Sequence, residues 1–290
     1  MIRFGPAGNS ASFYQAGNAS TWQAPAWLNS LGLNAFEYPF GRGVRMSGEA
    51  AVRIGREAKE HGIQISAHAP YFINLGNPDP DIRNSSFRYI LDSAKAVFEM
   101  GGSRLVVHVG AALKLDRTDA IKFCIKGLLE SIRRLDDADL SMIHLCPETM
   151  GKRSQIGDLD ETLAFCELDG RLIPCIDFAH LHAVSQGGLR ETSDFSAILD
   201  KVEAALGLER ARNAHLHFST IEYNHAGEKK HHTFAEEEYG PRFDKLAPLL
   251  KTRGYEPVVI CERKETMAED ACAMKMIYDT CTHQPEAIYQ

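Results

Sequence analysis

Eight short apolar runs, each followed by a longer amphipathic stretch, limit what this chain can fold into more than any other feature. The runs occupy residues 2–4, 35–37, 63–67, 104–108, 142–147, 172–177, 213–218 and 257–261. Residues 21–31, 49–61, 82–100, 119–135, 159–167, 195–206, 243–251 and 268–279 alternate with them and carry apolar side chains at helical spacing. Gly32, Gly62, Gly101, Gly102 and Gly254 stand at the helix-to-strand joints, where a helix end needs a residue tolerant of positive φ. An open doubly wound sheet would alternate too, but eight regular units with no glycine-rich phosphate loop after the first strand fit a closed barrel. The pattern therefore predicts an α/β chain forming one domain, a single (βα)8 TIM barrel over residues 1–290. Residues 219–240, rich in His, Glu and Lys, read as a long irregular loop after the seventh strand, and loops of that length are often functional.

The strand ends carry the chemistry. After Glu37 on the second run, six successive runs deliver a ligand-type side chain: His68, His108, Glu148, Asp177, His217 and Glu262. In a closed parallel barrel the C-terminal strand ends converge on one mouth, so residues far apart in sequence can share a metal. Taken singly, a histidine there is an ordinary loop residue and a carboxylate an N-cap. Six on consecutive strands, and the cost of burying several carboxylates without cations, favour a metal centre. Three imidazoles and three carboxylates suit Zn2+ or Mn2+, and a carboxylate can bridge two ions roughly 3.5–4 Å apart. His180 and His231 can reach the same mouth. His182, His215, His225 and His232 stay open, with His215 on the same side of its strand as His217. His61, His144 and His283 read as structural or solvent-facing.

A net charge of −7 argues against a broad basic nucleic-acid surface, although bound divalent cations would concentrate positive charge where an anion could sit. Seven cysteines without a C-x-x-C pair read as reduced core thiols. No secretory leader and no apolar run of roughly 18 residues is present, so a cytoplasmic location is expected, with no membrane and no protein partner implied. There is no nucleophile elbow, phosphate loop or zinc ribbon either. Arg42, Tyr71, Arg263 and Lys264 lie near strand ends, where such residues commonly form an ordinary rim.

The segment His68-Ala-Pro-Tyr71-Phe-Ile-Asn74-Leu-Gly76 resembles the endonuclease IV family, zinc-dependent apurinic/apyrimidinic endonucleases on a TIM barrel, in which a zinc-binding His precedes Tyr-x-Ile-Asn-Leu-Gly. Cys175-Ile-Asp177-Phe-Ala-His180 is similar to the family's Cys-x-Asp-x-x-His, and His231-His232 to its double histidine. The resemblance runs through nearly the whole chain. It implies that His68 and His108 hold a first zinc and Asp177, His217 and Glu262 a second, that Glu148 bridges the two, and that His180 and His231 serve a third. It implies as substrate double-stranded DNA with abasic sites, contacted by Arg42, Tyr71 and Asn74. The implied reaction is hydrolysis of the phosphodiester 5′ to the lesion by a metal-bound hydroxide, with Glu148 as the central catalytic group.

The departures from the family pattern have consequences. Lys229 stands where the family has an Asp two residues before the third-zinc His; His108-Val-Gly110 replaces His-Pro-Gly, and Glu148-Thr-Met replaces Glu-Asn-Thr. At the third site Glu228, Glu222, His182 or His232 could substitute for the lost carboxylate; the favoured expectation is that the third ion is weak and the Lys229 ammonium takes part of the phosphate charge. The alternative is a sugar isomerase or epimerase of the xylose isomerase-like superfamily, using Glu148, Asp177, His217 and Glu262 around one divalent ion. Lys229, and Glu37 at a position where sugar-binding relatives often carry a carboxylate, favour that second reading.

Overall fold

The computed structural model describes residues 1–263 and 265–281; Lys264 and His283 lie outside them. In chain order the elements are β1 (Arg3–Pro6), α1 (Ala11–Gln15), a 3-10 turn (Thr21–Gln23), α2 (Ala24–Ser30), β2 (Ala35–Pro39), α3 (Gly48–Glu60), β3 (Gln64–His68), α4 (Pro80–Glu99), β4 (Arg104–Val107), β5 (Gly110–Ala111) and α5 (Arg117–Asp137). They continue with β6 (His144–Pro147), β7 (Gln155–Ile156), α6 (Leu159–Glu167), β8 (Cys175–Asp177), α7 (Phe178–Val184), α8 (Thr192–Leu206), α9 (Leu208–Arg212), β9 (His215–Phe218), β10 (Thr220–Asn224), β11 (Gly227–His232), α10 (Phe243–Thr252), β12 (Val258–Cys261) and α11 (Met267–Thr280). Each of the eight predicted strands holds an observed one. The major helices begin at polar caps that supply acceptors for otherwise free N–H groups: Ser47 takes the amide of Ala50, Asp116 that of Thr118, and Asp158 with Glu161 closes a reciprocal box.

The barrel strands are parallel and fall into two four-stranded halves, β1-β12-β9-β8 and β2-β3-β4-β6. Narrow parallel bridges close the ring: Ala7 with Glu37 on one seam, and Leu145 with Leu172 and Glu148 with Cys175 on the other. At the first seam Gly5 is required by space, since a Cβ there would lie 1.9 Å from the carbonyl oxygen of Ala35. The outward side chains, Phe4, Phe36, Leu105, Leu145 and Phe218 among them, join the helices in one large core. The inward ones form small separate clusters, Ala35 with Val258 and Ile260, and Val106 with Cys146 and Cys175. Strand side chains alternate between faces, so this inner parity also carries Glu37, His68, His217 and the residues just beyond β4, β6 and β12.

Two expectations need correction. Residues 219–240 are not irregular throughout: β10 and β11 pair antiparallel in a hairpin whose turn is held by Asn224, which accepts from the Ala226 amide. The short helix α7 is absent from the sequence pattern; it starts because the Asp177 carboxylate caps the amide of His180. Among the described residues no helix is long and apolar enough to cross a membrane.

Candidate metal centre

Glu148, wholly buried, is the hub. Its Oε2 lies 3.1 Å from His68 Nε2 and 2.9 Å from His108 Nε2, and its Oε1 lies 3.1 Å from His217 Nδ1. Glu262 Oε2 approaches the same His217 nitrogen at 3.1 Å. Ligand atoms fall within 4.8 Å of one another in four groups among the described residues, three of them adjoining at the mouth: His68, His108 and Glu148; Glu148, Asp177, His217 and Glu262; and His180, Glu228 and His231; the fourth is Cys175, His215 and His217. The six strand-end residues are thus brought together, with Glu148 common to two groups.

Backbone carbonyls set the imidazole tautomers. His68 Nδ1 donates to the carbonyl of Ala69 at 2.8 Å and His180 Nδ1 to that of Thr149 at 2.8 Å, which turns Nε2 of each ring toward the carboxylates as the atom that would ligate a cation. His231 Nδ1 is hydrogen-bonded to the Ser219 hydroxyl at 2.7 Å. The third group depends on the hairpin. A bulge in the pairing leaves Lys229 as the extra residue of β11, since Glu222 faces Lys230 and Tyr223 faces Glu228. An extra residue inverts the alternation, so Glu228 rather than Lys229 shares a face with His231. β11 is pinned by the Glu228 amide, which donates to the Gly151 carbonyl at 2.7 Å, and Glu228 Oε2 comes to 3.0 Å from His180 Nε2. A side chain on Gly151 would meet that carboxylate oxygen at 2.3 Å.

The Lys229 ammonium borders the cavity, pairs with Glu222 across the hairpin and is more than half exposed, and the carboxylate grouped with His180 and His231 is Glu228. Of the other open histidines, His182 accepts from the Leu189 amide, His225 is exposed on the hairpin turn, and His232 is hydrogen-bonded to Glu236. His215 and Glu37, read from sequence as separate open assignments, are bonded to each other beneath the mouth at 2.8 Å. Their shared inner parity was the signal that could have joined them.

The donor set fits divalent cations. Burial alone would raise the Glu148 carboxyl, yet His108 and His217 hold it well below the ordinary range. Burial would likewise depress His68, but Glu148 and Glu262 push it up to about 9, and burial of Glu228 is outweighed by His180, which brings that carboxyl down to about 2. The carboxylates thus demand positive charge close by. Asp177 shows what happens where too little arrives: burial raises it despite His180, and its Oδ2, buried in the second group, has no hydrogen-bond partner. A cation shared with Glu148, His217 and Glu262 would satisfy that oxygen.

A cavity of about 750 Å3 opens over the groups, bordered by Tyr71, His108, Lys229, Lys230, His231 and Glu262 among others. On its rim the Arg42 Nε donates to the Tyr71 hydroxyl at 3.0 Å, and Tyr71 and Phe72 are both exposed. Asn74 is drawn inward: its side-chain oxygen accepts from the Ala111 amide at 3.1 Å and ties two loops together.

A family model described as the xylose isomerase-like TIM barrel matches residues 25–278. An uncharacterized protein of Methanocaldococcus jannaschii is 36% identical over 267 residues, 90% of this chain and 92% of that one. A probable endonuclease 4 of Shouchella clausii is 33% identical over 174 residues, 56% of each chain, so the match spans about half the length of that relative. Among solved structures, endonuclease IV from Thermus thermophilus superimposes with a TM-score of 0.68 at 20% identity, over 96% of this chain and 97% of that one. A D-psicose 3-epimerase gives 0.67 at 15%, over 98% and 100%. At such identities both likenesses show the fold alone.

Proposed function

Since the chain belongs to the xylose isomerase-like TIM barrel family, and is a divergent member resembling endonuclease IV, we propose that it is a metal-dependent enzyme hydrolysing the phosphodiester 5′ to an abasic site in double-stranded DNA. The observation that carries this reading is the presence of three adjoining ligand groups around Glu148, where a mononuclear sugar isomerase needs only one. Several cations side by side suit a phosphodiester, whose attacking and leaving oxygens both need stabilising charge. Bound there, zinc or manganese would supply that charge and activate a water at neutral pH.

The chain's own residues have definable parts. His68 and His108 hold one side of the Glu148 carboxylate and His217 the other, which fixes its two oxygens in opposite directions. Lys229 and Lys230 border the cavity with positive charge suited to a DNA backbone. Arg42 braces the Tyr71 ring on the rim, where it can stack against a base. The substrate class accords with a cytoplasmic location.

The isomerase reading keeps one support, the Glu148, Asp177, His217 and Glu262 group, which would suffice for a single ion. Its other two supports have partners of their own, Lys229 in Glu222 at the cavity border and Glu37 in buried histidines. Incubating the protein with a duplex containing one abasic-site analogue, with and without chelator, separates the two. Chelator-sensitive incision 5′ to the analogue is expected; an intact duplex together with epimerisation of a ketose would transfer the assignment to the isomerases. Tyr71→Ala should weaken binding to that duplex by about tenfold, the ordinary size of a lost base-stacking contact, with metal content unchanged. Equal affinity in a binding titration would remove Tyr71 from the interface.

A further inference from the structure

One layer below the metal ligands, inside the barrel, lies a polar cluster that the proposed reaction does not use. Glu37 on β2, Ser66 on β3 and His215 on β9 are all buried, with Cys175 beside His215. Glu37 Oε2 accepts from the Ser66 hydroxyl at 2.9 Å and stands 2.8 Å from His215 Nε2. Its Oε1 lies 3.0 Å from His217 Nε2, close enough to pair, and neither of those two buried atoms has a hydrogen-bond partner of its own. A carboxylate in a barrel interior is costly, and apolar residues of similar volume commonly pack as well, so its presence asks for a reason.

The reason lies in the orientation of His217. That ring turns Nδ1 toward Glu148 and Glu262, both at 3.1 Å, and Nε2 toward Glu37. His68 and His180 are backed by neutral backbone carbonyls, from Ala69 and Thr149. His217 is backed by a charged group, which orients the ring and increases the electron density at the opposite nitrogen. We propose that Glu37 is a positioning residue: it takes the Nε2–H of His217, presents Nδ1 to the cation of the second group, and is itself held in place by Ser66 and His215. It acts through His217 and touches neither cation nor substrate.

The inference rests on the Glu148, Asp177, His217 and Glu262 group binding a metal, a premise shared by the nuclease and isomerase readings, and it is tested with Zn2+ alone. Glu37→Gln keeps the shape, and His215 can meet the new amide in its other tautomer because its Nδ1 has no hydrogen-bond partner. Zinc competition against a chromophoric chelator should show one ion bound about ten- to a hundredfold more weakly in Glu37→Gln, with the melting temperature of the chelated protein little changed. In the background of His217→Ala the same Glu37→Gln change should cost no further affinity, because the group it acts through is gone. Wild-type affinity in Glu37→Gln, or an undiminished loss on top of His217→Ala, overturns the positioning role alone. A wild-type chain that takes up no zinc would overturn the metal reading and this role with it.

Discussion

Replacing Glu148 by glutamine is expected to lower turnover about a thousandfold or more, and to reduce the metal held per chain. Its two oxygens face different histidines, Oε2 toward His68 and His108 and Oε1 toward His217, so one carboxylate serves two ligand groups at once. An amide of the same shape keeps one acceptor and turns a donor toward the other group. There it meets either a cation it cannot ligate or an imidazole nitrogen whose lone pair should face the metal. Losses of a hundred- to a thousandfold follow removal of a single charge-stabilising group in other enzymes, and this substitution disturbs two groups. Single-turnover cleavage of the abasic duplex, with metal analysis after dialysis, provides the check. Near-normal rates with a full complement of metal would remove Glu148 from its central place.

The second large effect is expected at the hairpin. Glu228→Ala should release one ion per chain and slow cleavage by about a hundredfold, while Lys229→Ala should leave both close to the wild type. The contrast follows from the bulge: Glu228 reaches His180 at 3.0 Å and belongs to the group with His231, whereas Lys229 is paired with Glu222 at the surface. Exposed pairs of that kind contribute little. If Lys229→Ala slows the enzyme and Glu228→Ala does not, the ammonium is the group that meets the phosphate, as the sequence alone suggested.

Lys229 and Glu228 mark the limit of what the sequence carries. The eight strands are legible because apolar runs alternate with helical periodicity, and the six strand-end ligands because parallel closure sends every strand end to one mouth whatever the loops do. Neither inference needs to know how one side chain is aimed. Glu228 against Lys229 turns on a single inserted residue in β11, whose run of Gly, Glu, Lys, Lys, His and His offers no apolar pattern to count. Glu37 and His215 were each visible, but their contact joins strands separated by most of the chain. Strand parity placed them on the inner face, and only the closed ring makes that face common to both.

The two half-sheets of the barrel meet along seams of one or two bridges, and the ligands are divided between them. His68, His108 and Glu148 come from the half built on β2, β3, β4 and β6; Asp177, His217 and Glu262 come from the other. Glu148 sits on the second seam, bridged to Cys175. Cations held here would therefore work as a clasp between the two half-sheets, much as a cross-link joins two stretches of chain. Their binding energy would resist the parting of the halves, adding about 2.7 kcal/mol when free metal exceeds its dissociation constant a hundredfold. Catalytic competence and mechanical closure of the barrel would then rise and fall together with metal supply.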